Sequence, residues 1–547
     1  MAKNRLLFFF LFIVSKLYCN DEYAYIIYFN DKITCSPVKD STLFNPDGYQ
    51  RRKENTTSFN QYDCPVNEHY IKAICELGFT LHGRSKWLNA IAVKTTDTSI
   101  LSQLSSFNFI KRTQILSVQY DGENTESIHA RYILNDSEIL QEKYGYGYHQ
   151  INCEKGIYLH EKGFKGQGIK IAILDGGFSG VDTIIAFKKL FQTGRLAEAY
   201  DFVENDKNPY HGSSHGTEVL STMAANQSKK LIGTAPEATY CLFRTEDTRS
   251  EQLIEEFNIA RALEYADSIG VQLVNISLGY TNYDYFNQSY SWSDLTRQES
   301  IAVQAINIAD QKGILVVVSA GNEGDEYWKY IAVPGNASGA LTIGAVDSEK
   351  NLAAFSSIGY TEMRTIKPDI CAMGSYVATI DDENALGMSD GTSFSTPITT
   401  GLIACLWQAF PTSKASQIKD VVKKSASQYK KPDLNYGYGV PNFEHAFWLL
   451  SYAKNMNSPI MPTEYAVYPK YYHDKLILLT PKNNIDTFIE IQLFDFWGNC
   501  ISKEPIHLTN AVAISIQEDT IKWLEKGAYF IKLIGTNSTI VQKIIKQ

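Results

Sequence analysis

Apolar and polar positions alternate with three different textures along the chain. Between Tyr23 and about Arg112, short apolar runs at Tyr25-Ile26-Ile27-Tyr28-Phe29 and Leu88-Asn89-Ala90-Ile91-Ala92-Val93 have the length and side-chain types of strands, and Asn67 to Leu77 reads as helical. That mixture predicts a small α+β module over 20–112. From about Gln150, continuous apolar runs alternate with helical segments; the strand candidates are 169–174, 240–243, 272–277, 314–319 and 341–346. Strands without polar alternation are buried on both faces, so 150–455 is expected to be α/β, a doubly wound, mostly parallel sheet with helices on both faces. After Pro459 the pattern becomes period two, at Ile489, Ile491 and Leu493 and again at Tyr529, Ile531 and Leu533, which predicts an all-β, sandwich-like module over 460–547. The polar stretch 113–149 reads as a linker that carries a processing site.

The first residues differ again. Lys3 and Arg5 precede an apolar run from Leu6 to Val14, and Asn20-Asp21-Glu22 follows, the pattern of a signal peptide over 1–19. Beyond it no apolar stretch reaches the 18 residues that a membrane-spanning helix needs, so the mature chain is expected to be exported in soluble form. Sixty acidic side chains against 51 basic ones, with no run of Lys and Arg, leave no surface for tracking phosphates, and nucleic acid is excluded as a partner. The nine cysteines show no metal-binding spacing; Cys35 with Cys64 or Cys75 is the expected disulfide.

Four separated segments supply the parts that acyl transfer needs: a nucleophile, a base, a group that orients the base, and an oxyanion donor. Asp175 follows the run Ile171-Ala172-Ile173-Leu174 and so ends a central strand. His215, in Ser213-Ser214-His215-Gly216-Thr217-Glu218-Val219, opens a helix and has a proton affinity suited to act as base and then acid. Ser393, in Gly391-Thr392-Ser393-Phe394-Ser395-Thr396-Pro397, stands where another helix begins, in the field that favours negative charge. Asn322, after the strand 314–319, offers an uncharged amide donor. Taken singly, each reads as an ordinary turn, surface or capping residue; together they fall at strand ends and helix starts of one sheet.

The segments Leu174-Asp175-Gly176, His215-Gly216-Thr217-Glu218-Val219, Ser277-Leu278-Gly279, Ser319-Ala320-Gly321-Asn322 and Gly391-Thr392-Ser393-Phe394-Ser395-Thr396-Pro397 resemble, in this order, the motifs of subtilisin-like serine proteases. The resemblance implies an endopeptidase with Asp175, His215 and Ser393 as catalytic triad and with Asn322 beside the Ser393 backbone N–H in the oxyanion hole. It implies that Ser277, Leu278, Gly279, Ala320 and Gly321 bind substrate, pairing with its backbone as an added strand. It departs at Gly177, where a hydroxyl that would bond beside Asp175 is missing. The insertion from Tyr280 to Arg297 would lie beside the cleft.

The flanks resemble companions of such enzymes. Residues 20–112 look like a propeptide that chaperones folding and occupies the cleft until removed. The C-terminal module, with Leu493-Phe494-Asp495-Phe496-Trp497-Gly498 and Gly527-Ala528-Tyr529-Phe530, is similar to type IX secretion sorting domains. The implied partners are protein or peptide substrates, the chain's own propeptide and an outer-membrane secretion machinery. No cofactor is needed for the chemistry; structural calcium is compatible with the family, but no acidic loop identifies a site, and no catalytic metal is expected. Two other readings remain open at this stage: an inactive binding protein on the same fold, and a triad hydrolase acting on esters or as a peptide ligase.

Overall fold

The computed structural model describes residues 22–32, 45–119, 131–133, 143–284, 288–453, 466–468, 471–472, 476–479, 488–507, 513–515, 524–535 and 539–546. The expected signal peptide over 1–19 lies outside the described residues, as does Cys35. Cys64 is disulfide-bonded, with its partner also outside the described residues, whereas Cys75 is free.

The N-terminal module is a four-stranded antiparallel sheet of β1 (Glu22–Phe29), β2 (Thr80–Ser85), β3 (Ala90–Thr95) and β4 (Ile110–Gln119), in the order β2-β3-β1-β4. It carries helices α1 (Pro46–Asn55) and α2 (Glu68–Cys75). The sheet continues past the expected boundary at 112, because β4 stays paired with β1 to Gln119. Side chains alternate across a strand, and both faces are covered here. Ile27, Phe29, Ile91 and Val93 pack on Ile71, Ile74 and Leu104 of the same module, while Ala24, Ile26, Tyr28, Ala92 and Leu116 join the core of the following one.

That second module is built on seven parallel strands in the order β14-β13-β12-β11-β6-β10-β7. The strands are β6 (Lys170–Asp175), β7 (Leu196–Asp201), β10 (Thr239–Arg244), β11 (Leu273–Ile276), β12 (Leu315–Ser319), β13 (Leu341–Val346) and β14 (Ile370–Met373). A small ladder, β8 (Asn226–Gln227) with β9 (Leu231–Ile232), stands apart from it. On one face lie α6 (His215–Ala224) and α9 (Thr392–Ala409), backed by α10 (Ala415–Lys424) and α11 (Phe443–Ala453); on the other lie α7 (Ile254–Ser268) and α8 (Ile301–Gln311). Short helices α3 (Tyr148–Cys153), α4 (Ile157–Glu161) and α5 (Lys188–Gln192) complete it. The doubly wound expectation holds. Each strand run read from the sequence falls on an observed strand, and the edge strands β7 and β14 are additional.

The order of strands reverses about β6, whose neighbours are β10 and β11. Sites in such sheets form at the carboxyl ends of the strands flanking that switch, here Asp175 and Ser277. A further sheet sits beside α6: β15 (Val377–Ile380) and β16 (Leu386–Ser389) form a hairpin, and β5 (Arg131–Ile133) pairs with β16. The insertion 280–297 is tied down through the buried Glu256, which receives the hydroxyls of Tyr283 at 2.6 Å and of Tyr290 as well as the Ala302 N–H.

The C-terminal module is all β. One sheet is β18 (Tyr471–Tyr472), β24 (Thr539–Lys546), β23 (Gly527–Ile534), β20 (Phe488–Phe494) and β21 (Cys500–His507), in that spatial order; a second is β17 (Ala466–Tyr468), β19 (Ile477–Leu479) and β22 (Ala513–Ser515). The two share a core of Val467, Leu478, Ile489, Ile491, Leu493, Ile531 and Leu533. The period-two apolar positions read from the sequence are the inward-facing ones, apart from half-buried Tyr529 at the margin of that core.

Candidate active site

Asp175 is the last residue of β6 and is fully buried. Its Oδ1 accepts two hydrogen bonds, from the Gly176 N–H and from His215 Nδ1, both at 2.9 Å. Its Oδ2 is buried without a hydrogen-bond partner. His215 is the first residue of α6, and its backbone N–H, one of those a helix leaves unpaired, donates to Ser213 Oγ at 3.0 Å. Burial disfavours the charged imidazole, but the Asp175 carboxylate, both as a charge and as an acceptor, overrides it and holds the His215 pKa above the ordinary value.

Ser393 is the second residue of α9, 6% exposed. Its Oγ lies 3.2 Å from the carbonyl oxygen of Ser277, and its own carbonyl accepts from Ser277 Oγ at 2.8 Å. The helix starts at Thr392, so Pro397 stands inside it. A proline has no N–H, and the carbonyl four residues earlier is Ser393's. Ser277 fills that gap, which fixes the turn bearing the nucleophile to the end of β11.

Asn322 is oriented by its oxygen. Oδ1 accepts from Thr392 N and from Thr392 Oγ1, both at 2.9 Å, which leaves the amide nitrogen as the outward donor. A Cβ placed on Gly391 would stand 3.6 Å from that nitrogen, so the glycine keeps the space in front of the amide open. Gly391 also has φ +154, which side chains rarely adopt.

Ala320 and Gly321, expected to bind substrate, have their main-chain groups partnered within the fold. The Ala320 N–H donates to Ile343 O at 2.9 Å and its carbonyl accepts from Ala332 N at 2.8 Å. The Gly321 N–H donates to Thr392 Oγ1 at 3.2 Å and its carbonyl accepts from Ser357 N at 3.1 Å. Each of these main-chain groups thus has a partner inside the fold, and the two residues lead directly into Asn322. Ser277, Leu278 and Gly279 continue from the end of β11, between Ser393 and the antiparallel bridge of Tyr280 with Val333.

The departure at Gly177 has a steric cause. Gly177 has φ +153, and a Cβ there would overlap the His211 carbonyl and meet Ser213 N at 2.5 Å. Any side chain at 177 would push apart its bridge with Gly212 and the segment leading to His215.

Sequence reading missed Glu246. Its Oε1 accepts from Tyr280 OH at 2.8 Å, and its Oε2 lies 3.5 Å from where a Cβ on Gly176 would stand, next to Asp175. Burial first, then the nearby carboxylates Glu251 and Asp175, raise the Glu246 pKa. Oxygens of Glu246, Glu251 and Glu255 come within 4.8 Å of one another. The signal was faint: Glu246 follows strand β10, parallel and adjacent to β6, but no motif marks it.

Three family models match the chain: "Peptidase S8 propeptide domain, Bacteroidota" over residues 24–130, "Subtilase family" over 166–439, and "Secretion system C-terminal sorting domain" over 466–547. M-protease of Shouchella clausii (strain KSM-K16) is 26% identical over 362 residues, 64% of this chain and 85% of that protein. Subtilisin NAT of Bacillus subtilis subsp. natto is 30% identical over 305 residues, 55% of this chain and 70% of its own length. Subtilisin BL of Lederbergia lenta is 29% identical over 288 residues, 52% of this chain and 93% of its own. The chain belongs to the subtilase family, as a secreted or cell-surface serine endopeptidase made as a zymogen with a C-terminal secretion sorting domain.

Proposed function

We propose that the enzyme hydrolyses peptide bonds through an acyl-enzyme, with Ser393 as nucleophile, His215 as general base and acid, and Asp175 as the group that orients the imidazole. The observation that carries this reading is the 2.9 Å bond from His215 Nδ1 to Asp175, which directs the other ring nitrogen away from the carboxylate. Attack requires Ser393 Oγ to give its hydrogen to His215 instead of to the Ser277 carbonyl. The oxygen then bonds to the substrate carbonyl carbon, and the resulting oxyanion is held by the Asn322 amide and the Ser393 N–H at the start of α9. His215 passes its proton to the leaving nitrogen, the C–N bond breaks, and water hydrolyses the ester by the reverse proton path. These residues do the whole chemistry, and no cofactor is required.

The same reading extends to the flanks. Residues 1–19 are the export signal, 20–112 the propeptide, 113–149 the linker and region of processing, 150–455 the catalytic domain, and 460–547 the sorting domain. The first cut in the propeptide is made by the chain's own triad. An unstructured protein and simple esters serve as paired substrates. Efficient cleavage of the protein, abolished in Ser393→Ala, is expected; ester hydrolysis without proteolysis contradicts the reading.

A further inference from the structure

Arg244 is the last residue of β10, the register partner of Asp175 on β6 and of Asp201 on β7. At the carboxyl ends of three adjacent strands, a buried arginine therefore stands between two buried aspartates. Its bonds do not go to the Asp175 carboxylate, whose Oδ1 receives Gly176 N and His215 Nδ1 and whose Oδ2 has no partner. Arg244 Nη1 donates to Asp201 Oδ2 at 2.7 Å instead. Its Nε donates to the main-chain oxygen of Gly176, the residue after Asp175, at 3.3 Å.

That carbonyl is a junction. It also accepts from Ser213 N at 3.3 Å, and Ser213 belongs to the segment 211–214 that leads into His215. The far end of the segment meets the same ion pair, with His211 Nε2 3.4 Å from Asp201 Oδ2. Between them Gly212 has φ +83, and a Cβ there would stand 2.7 Å from the Gly176 oxygen and 3.0 Å from Arg244 Nε. The guanidinium thus packs against the segment with no room for a side chain. Gly176 and Ser213, tied together here, are the residues that bond directly to the two partners of the triad. The Gly176 N–H donates to the Asp175 oxygen that receives His215 Nδ1, and Ser213 Oγ accepts from the His215 N–H.

We infer that Arg244 is a positioning residue for the triad: by holding the Gly176 carbonyl against the segment 211–214, it sets the approach of His215 Nδ1 to Asp175 Oδ1. This rests on the triad reading above. Arg244 acts through Gly176 and Asp201, and the residue type matters. Arginine places two donors of one rigid fork on two acceptors, whereas lysine carries the same charge on a single nitrogen. Asp201 is equally specific. Its Oδ1 accepts from Val203 N at 2.8 Å and Glu204 N at 3.0 Å, which leaves Oδ2 for Arg244. An asparagine at 201 that kept its oxygen on those two N–H groups would turn its NH2 donors toward the guanidinium and release it.

The test compares wild type, Arg244→Lys and Asp201→Asn by steady-state kinetics on a short peptide across pH. It also follows the low-field proton signal of the His215 Nδ1–H bonded to Asp175. Because small misplacements of catalytic groups are costly, Arg244→Lys should lower kcat at least about ten-fold with KM little changed. The acid limb of kcat/KM should move to lower pH and the proton signal should shift, while the circular dichroism stays that of wild type. Lysine keeps the positive charge, so the move in pH reports the Asp175–His215 bond and not the loss of a cation. A folded Arg244→Lys with wild-type kcat and pH profile overturns the inference. So does one that loses kcat while the acid limb and the proton signal stay in place. If Arg244→Lys does not fold, Asp201→Asn decides by kcat and the proton signal; if neither folds, Arg244 serves the fold alone and the inference falls. His215→Ala separates the two levels of the account. If it keeps wild-type turnover, the triad reading fails and takes the inference with it; if it is inactive while Arg244→Lys is unchanged, the inference alone fails.

Discussion

Ser277 and Ser393 exchange two hydrogen bonds: the Ser277 hydroxyl donates to the Ser393 carbonyl at 2.8 Å, and Ser393 Oγ lies 3.2 Å from the Ser277 carbonyl. The first bond exists because Pro397 withholds the N–H that would otherwise occupy that carbonyl. Ser277→Ala should therefore lower kcat about five-fold, the value of one net hydrogen bond of about 1 kcal/mol, with KM for a short peptide little changed. Pro397→Ala supplies the competing N–H and should lower kcat without lowering the Tm. Steady-state kinetics and thermal melts of both variants check this.

Asn322→Ala should lower turnover by roughly 10²–10³-fold while the fold persists. Because Thr392 holds the amide oxygen through both its N–H and its hydroxyl, Thr392→Val should also lower kcat, by less. An unchanged rate in Asn322→Ala places the oxyanion donor elsewhere.

Gly177→Ser would restore a hydroxyl beside Asp175, yet it should damage the enzyme. The new Cβ would overlap the His211 carbonyl at a φ of +153, displacing the segment that positions His215. Reduced Tm and reduced kcat together are the expected result; a gain in either contradicts the steric account.

The pH profile follows from His215. Catalysis needs the neutral imidazole, and Asp175 outweighs burial to hold the His215 pKa above 6.5. Activity should therefore rise with pH through a midpoint above the ordinary imidazole value. Glu246 also favours the protonated ring, so Glu246→Gln should move the acid limb of kcat/KM to lower pH. The sign for stability is opposite. A group whose pKa is raised by folding stabilises below its unfolded value and loses that contribution as pH rises through the folded one.

The N-terminal module is locked to α7 and α8 by buried charges. Arg51 and Arg52 of α1 bond to Asp267, Arg52 also bonds to Asp63 at 2.7 Å, and Lys312 donates to Asp63 at 2.6 Å. Removing one partner strands the others, so Asp267→Ala should weaken retention of the cleaved propeptide by about 3–5 kcal/mol, read as earlier release of activity after processing. Burial raises the Asp63 pKa, but Arg52 and Lys312 overcome this and lower it below 3.8. Its contribution is therefore present above 3.8 and is lost only as pH falls below it. The lock should hold through neutral and mildly acidic conditions, measured as inhibition retained by the cleaved complex across pH.

Local pattern carried much of this molecule. Five apolar runs located five of the seven parallel strands, because strands buried on both faces leave an uninterrupted apolar signature. Leu196–Asp201 escaped because it is an edge strand with half-exposed residues, and the opposite edge strand, Ile370–Met373, was not read either. The triad segments were legible through their motifs. The backbone saturation of Ala320 and Gly321, the approach of Glu246 to Gly176, the Pro397 gap filled by Ser277 and the pairing of Arg131–Ile133 with β16 were not, since each joins positions far apart in sequence. Only the closed fold brings them together.

The central claim is that Ser393 is an activated nucleophile. Labelling the processed protein with a fluorophosphonate and mapping the adduct by peptide mass spectrometry tests it directly. The account predicts stoichiometric modification at Ser393 with loss of proteolysis, and labelling abolished in Ser393→Ala and strongly slowed in His215→Ala. A processed, folded protein that cleaves peptide bonds while Ser393 stays unlabelled would contradict it.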